Sequence, residues 1–387
     1  MADYILWNGS SEIYSNGSIH LYWYAALIIL AFILVPRVIK SLILKQENPD
    51  KLNSKVEYLV LGVVFIALCV ARWGDIIFYS KKNVNQDLLS KIVPVTLKPY
   101  VGFVGPHQLS LPLGILGIIV GVWLFNRFVL KDSDFFYLLD QIVIASCLAG
   151  ALLFLSNFIG ADFMGRATDA ADGTVFIRPV TDGLMDLKCC MMRNPDGPNP
   201  LVDVQVKKGE KKMLKEIGQK QIQYHLTFKQ GIEEREATEF IIGDVKTYLF
   251  EHPLYVSESG TEPIKYALSK TADGKMSATI TTIGIARHPT QIYLSLSCLI
   301  LFILAYVYKK KLLKSDLSGR IAGEVIAGFA VIYFLVSFME ESLSTDFQYL
   351  GLSTDQWLMS GVFLLGLVLI YLSAKNRQLK KNSSQQT

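Results

Sequence analysis

Cysteine is scarce in this chain, five in 387 residues. Cys69, Cys147 and Cys298 lie in apolar runs, where a free cysteine serves as a small core residue. Cys189-Cys190 alone lies in a polar stretch, and no ligand spacing around it resembles a zinc site. Disulfides and structural metal are therefore not expected to build the fold. Charge of one sign is also lacking: 38 Lys and Arg against 34 Asp and Glu leave a formal net charge of +4, which argues against a nucleic-acid partner. No Lys or Arg precedes Arg37, so the start of the chain lacks the basic opening of a cleaved signal peptide. Internal repeats are absent as well. What the chain has in excess is apolar residues, 51% of the total with a mean hydropathy of +0.34, the composition of a multi-span membrane protein.

Seven apolar runs have the length to cross a hydrocarbon core, at roughly 20–39, 57–79, 109–130, 138–158, 291–308, 321–340 and 357–374. Basic residues sort the connections. Lys40, Lys45, Lys51 and Lys55 follow span one, Lys309, Lys310, Lys311, Lys314 and Arg320 follow span five, and Lys375, Arg377, Lys380 and Lys381 follow span seven. The connection after span six carries Glu340, Glu341, Asp346 and Asp355 and no cation. Positive loops stay inside. The N-terminus is therefore expected outside and the C-terminus inside, with Lys81 and Lys82 running against the pattern.

Between spans four and five the composition changes. Alternating runs at Ile222–Phe228 and Met276–Ile280 predict strands, and Ile232–Phe250 predicts a helix with Gly243 as its weak point. Turn signals stand at Asn194-Pro195-Asp196-Gly197 and Ala272-Asp273-Gly274. The expected fold class is thus an all-α integral membrane protein of seven transmembrane helices carrying a small α+β extracytoplasmic inserted domain. The expected boundaries are 1–169 for spans one to four, 170–286 for the insert, and 287–387 for spans five to seven with a basic tail. Residues 382–387 are expected to be disordered.

Ionisable groups in membrane spans are costly and mark sites or pathways. Here they gather at the outer ends. Tyr22, Trp23 and Tyr24 open span one; Arg72 and Asp75 share a face at the end of span two; His107, Gln108 and Ser110 precede span three. Asn157 ends span four and is followed by Asp162 and Arg166, and Tyr333 through Glu341 closes span six. Span five opens with Arg287-His288-Pro289-Thr290-Gln291-Ile292-Tyr293, where the proline suits a helix start. The inner halves are nearly bare, Glu324 being the main exception. These groups predict a polar cavity open to the outside.

The same residues resemble the prolipoprotein diacylglyceryl transferases of bacterial inner membranes. The segment Arg287–Tyr293 is similar to the family's Arg-His-Pro-Ser-Gln-Leu-Tyr signature, and Ala71-Arg72-Trp73-Gly74 with Phe78-Tyr79 to its span-two motif. Trp23-Tyr24 matches the opening of span one. Asn157-Phe158-Ile159, Asp162 and Gly165-Arg166-Ala167-Thr168-Asp169 follow the family's span-four motif. Tyr333, Phe338, Glu341 and Asp346 fall at its span-six spacing, and Gln356 at the opening of span seven. The resemblance covers the spans but not the insert. It implies transfer of the diacylglyceryl group of phosphatidylglycerol to the lipobox cysteine of a prolipoprotein, with no metal or organic cofactor. It also implies a place in the bacterial cytoplasmic membrane. Under it, Arg72, Arg166 and Arg287 bind phosphate, Asn157 orients the head group, and His288 or His107 assists thiol deprotonation. Tyr24 and Tyr333 join the catalytic set, and Asp162, Gly165, Gln291 and Glu341 the substrate-binding set.

The departures fall on cations. The family's His-Gly-Gly aligns with Pro112-Leu113-Gly114, and three arginine positions align with Phe154, Ser337 and Ser344. Two readings follow. One is an active transferase with a rearranged phosphate site, supplemented by Arg178 or by other charge from the insert. The alternative is a catalytically degenerate member that binds lipid or lipoprotein, or holds a protein partner through the insert. The two separate on whether Arg72 and Arg166 are consumed by Asp75 and Asp162. A transporter is the weaker fit, since no paired broken helices interrupt the spans.

Overall fold

The computed structural model describes residues 4–9, 12–16, 19–43, 55–78, 95–96, 102–103, 109–130, 134–161, 165–187, 199–210, 216–311, 319–340 and 348–384. His107, Gln108, Asp162, Glu341, Ser344, Asp346, Cys189-Cys190 and the 194–197 turn lie outside these residues. The chain divides into two compact units, one of Met1–Ser15, Phe158–Thr290 and Met339–Glu341, the other of Asn16–Asn157, Gln291–Phe338 and Ser342–Thr387.

Seven helices are long and apolar enough to cross a membrane: Trp23–Ile43, Val56–Phe78, Leu111–Leu130, Phe135–Ile159, Thr290–Lys311, Arg320–Ser337 and Thr354–Leu379. They coincide with the seven runs expected from hydropathy and are called spans one to seven. In the second unit, spans two and three pack closely because small residues face each other. A Cβ on Gly117 would come within 2.7 Å of the Ala67 backbone, so only glycine permits that approach. Spans six and seven repeat the device, with Gly366 against Ala327. Ile39, Leu59, Val122, Leu138, Ile144 and Ala322 fill the core between the spans. The helix of span seven runs on to Ser384, so residues 382–384 are helical where disorder was expected, and 385–387 lie outside the described residues. Gln378, Leu379, Lys380 and Lys381 are good helix formers, and no Gly or Pro stops them.

The first unit is α+β. Strand β1 (Ile5–Trp7) pairs in parallel with β2 (Thr174–Phe176), which leads into helix α1 (Arg178–Asp186). A four-stranded antiparallel sheet follows, built of β3 (Leu201–Lys208), β4 (Gln219–Phe228), β5 (Lys265–Lys270) and β6 (Met276–Ile285) in the order β3-β4-β6-β5. Both strands expected from alternation are present, longer than their cores suggested. Gly274, at φ +77°, makes the turn between β5 and β6. The helix expected over 232–250 is present as α2 (Glu234–Phe240) and α3 (Lys246–Glu251), continuous in right-handed helical backbone. They are joined by a π turn, Ile241–Val245, that contains the weak Gly243. Phe240, Ile241, Val245 and Leu249 pack with Ile222, Tyr224, Leu226, Phe228 and Ile280. Alternate residues of β4 and β6 supply that core because side chains on a strand alternate between faces.

His225 stands on the opposite face of β4, with Nδ1 3.0 Å from Thr279 Oγ1 and a buried Nε2 that has no partner among the described residues. Desolvation, then the nearby Lys207, holds the imidazole below its ordinary pKa. The folded state thus takes up a proton less readily than the unfolded chain. Stability from the neutral ring is intact above about pH 6.5 and is lost as pH falls below it toward the folded value. Unfolding of the unit followed at pH 7 and pH 5 should show a larger drop for wild type than for His225→Gln. Equal drops would remove His225 as the cause.

Candidate functional site

In the first unit, three stretches of chain run side by side. Ala167 pairs antiparallel with Arg287, and Arg287 pairs antiparallel with Thr174 on its other side. The His288 N–H donates to the Arg166 carbonyl at 3.0 Å, and the Thr168 N–H donates to the Ala286 carbonyl at 2.8 Å. Arg287 and Thr174 exchange two bonds of 2.9 Å. Gly165 bridges to Glu340, and the Arg166 N–H donates to the Met339 carbonyl at 2.6 Å. Opposed residues on such a ladder share a face. Arg166 and His288 therefore stand together on one face, and Ala167 and Arg287 on the other. Arg166 is exposed, His288 half-buried and Arg287 buried.

The buried guanidinium is a cross-brace. Arg287 Nε donates to the Leu254 carbonyl at 2.7 Å and Nη1 to the Gly165 carbonyl at 3.0 Å. Gly165 has to be glycine here, since a Cβ would collide with the His288 carbonyl oxygen. Arg166 Nε donates to the Glu340 carbonyl at 3.1 Å, which anchors the side chain while leaving its charge without a carboxylate among the described residues. Lys220 binds Asp169 at 2.6 Å and, with the Gly218 N–H, holds that carboxyl below its usual range. Arg178 is paired with Asp182 at 2.8 Å on the first turns of α1.

In the second unit, Arg72 is fully buried and its Nη1 lies 2.9 Å from Asp75 Oδ2, the pairing that a spacing of three allows. Asn157 is buried, and its amide makes no hydrogen bond among the described residues. Gln291 is buried in the first turn of span five. Tyr333 is 9% exposed and packs on Phe329 with ring centroids 6.1 Å apart, inside the helical core. Tyr24 is exposed beside Trp23, as an interfacial aromatic would be. Two of the positions where the family pattern expects arginine now serve packing. Phe154 sits 6.5 Å from the Phe329 ring, and the Ser337 hydroxyl donates to the Phe334 carbonyl of its own helix. Glu324 is paired with Arg320 one turn away.

One charged cluster was not singled out from the sequence. Asp140, in the first turns of span four, is fully buried and receives Lys309 Nζ at 2.8 Å. It also accepts the N–H groups of Gly319 at 3.0 Å and Ala322 at 2.8 Å, capping span six. An acid beside Gln141 in an apolar run was the available signal, because such a group must find partners.

A family model described as prolipoprotein diacylglyceryl transferase matches residues 12–372. Among curated proteins, the phosphatidylglycerol–prolipoprotein diacylglyceryl transferase of Tolumonas auensis is 26% identical over 175 residues, 45% of this chain and 62% of that protein. The protein of the same name from Bacteroides fragilis is 26% identical over 180 residues, covering 45% and 62%. That from Chlorobaculum tepidum is 29% identical over 167 residues, covering 42% and 56%. The chain spans under two thirds of the length of these curated relatives.

Proposed function

The chain belongs to the prolipoprotein diacylglyceryl transferase family, and from that premise we propose that it moves a diacylglyceryl group from phosphatidylglycerol to the cysteine thiol of a prolipoprotein lipobox. A sulfur–carbon bond forms at the glycerol carbon whose bond to the phosphate oxygen breaks. Glycerol 1-phosphate leaves, and the thiol proton passes to a base. The proposed setting is a bacterial cytoplasmic membrane, with the N-terminus and the insert outside and the C-terminus inside. Nothing in the fold or the matches speaks for a protein partner at the insert, and the proposal does not include one.

The observation that carries this reading is the pairing of Arg166 and His288 on one face of a backbone ladder. Phosphate leaving needs a cation, and guanidinium is suited to grip a phosphate ester. Thiol attack needs a thiolate, so a base must take the proton. Arg166 holds the phosphate in this proposal and His288 takes the proton. Arg72 and Arg287, expected as phosphate ligands, are each assigned to bracing their own unit, because each already has strong partners.

Those same partners favour a second reading, in which the fold binds lipid or lipoprotein without turnover. The deciding experiment combines purified protein, phosphatidylglycerol and a lipobox peptide, with release of glycerol phosphate as the readout. Release that is lost in His288→Ala is the expected result. No release from folded protein that still binds lipid would hand the case to the second reading.

A further inference from the structure

Span three begins at a cap that does not cap. Ser110 has extended backbone (φ −76°, ψ 113°) ahead of the helix Leu111–Phe125, yet its hydroxyl makes no capping bond. A serine there normally accepts the N–H of the second or third helical residue. Here the second residue is Pro112, which has no N–H to give. Ser110 is 4% exposed, and its Oγ is buried with no hydrogen-bond partner among the described residues. Its backbone is fixed instead, since the Ser110 N–H donates to the Ala71 carbonyl at 3.0 Å and its carbonyl accepts from Gly114 at 2.9 Å. A Cβ placed on Gly74 would come within 3.0 Å of the Ser110 Cβ, so the residue is held tightly against span two. A buried hydroxyl without a partner is costly, and it persists next to helix N–H groups that also lack intrahelical partners.

In the same span as Ala71 and Gly74, the residues next to them in sequence, Arg72 and Asp75, form an ion pair. The pair has no net charge, and its carboxylate disfavours a second anion. Donors without net charge suit an uncharged acceptor. At this end of span two, Trp73, Ile77 and Phe78 are exposed at 47%, 71% and 45%. An exposed tryptophan and phenylalanine at a span terminus mark the level of the membrane interface, where lipid ester groups lie.

We propose that Ser110 Oγ and the N-terminus of span three form a subsite for the ester carbonyl of a glycerolipid. The subsite deepens the transferase reading and rests on it for the identity of the lipid. Ser110 acts on the acyl ester and not on the phosphate, so it is a binding and positioning residue.

The test uses purified full-length protein without peptide. Its thermal midpoint is titrated with diester phosphatidylglycerol and with the diether analogue of equal chains and head group. One neutral hydrogen bond corresponds to roughly fivefold in affinity, so wild type should need about five times more diether than diester lipid for the same shift. Ser110→Ala removes a hydroxyl that has no partner among the described residues, so it should fold and should respond to both lipids alike. Ser110→Thr, which keeps the hydroxyl, should restore discrimination. Wild type that treats the two lipids equally, or Ser110→Ala that still prefers the ester, overturns the subsite. Ester preference without glycerol phosphate release sinks the transferase reading alone, and release without ester preference sinks the subsite alone.

Discussion

Asp140→Ala is expected to cost the folded protein about 3–5 kcal/mol, the scale for removing one partner of a buried ion pair. Lys309 would keep its charge in a site where the pair is 10% and 0% exposed. Among the described residues it would keep the Tyr137 ring, 5.1 Å away, which is a weaker partner than a carboxylate. The Gly319 and Ala322 N–H groups at the start of span six would also lose their acceptor. The double variant Asp140→Ala/Lys309→Met separates these terms. Removing the stranded charge should restore most of the loss, leaving about 1 kcal/mol for the missing cap. Unfolding midpoints of the single and double variants in one detergent would decide. A double variant as unstable as the single one would show that the cap, not the charge, dominates.

That cluster also shows where sequence reading stops. The spans are legible because an apolar run of this length has few other destinations. Arg72 with Asp75 is legible because three residues along a helix bring side chains to one face. Asp140 and Lys309 are 169 residues apart, and no local period links them. Lys309 was counted only as a basic loop residue, a correct use of its charge that says nothing about its partner. Arg287 was read as a ligand because a cation at the mouth of a span invites one. Its contacts include the carbonyls of Gly165 and Leu254, which carry no sequence signal as acceptors, since every residue has a carbonyl. The insert was legible in its strands, where burial alternates with period two. The irregularity at Gly243 was visible as a weak residue, but its form, a π turn that keeps Ile241 and Val245 both buried, depends on tertiary packing.

Arg166→Ala and Arg287→Ala should therefore fail in different ways, although a motif reading treats both as phosphate ligands. Arg166 is exposed and gives the fold one bond to a carbonyl. Its loss should leave the unfolding midpoint nearly unchanged. If it meets the charge that develops on the leaving phosphate, kcat/KM should fall about 10²–10³-fold, as for other donors aimed at a transition-state oxyanion. Arg287 is buried, and its removal strands the Gly165 and Leu254 carbonyls. Charge-assisted bonds contribute about 1.5–3 kcal/mol each, so the unit should lose roughly 3 kcal/mol or more, with activity falling as a consequence. Arg287→Lys should fare little better, because a single ammonium cannot reproduce a rigid fork that reaches two carbonyls. Glycerol phosphate release and hydrogen exchange across 165–168 and 286–288, measured on all three variants, give the two readouts. An Arg287→Ala protein with native exchange protection and no turnover would return Arg287 to the phosphate. An Arg166→Ala protein with full turnover would take Arg166 away from it.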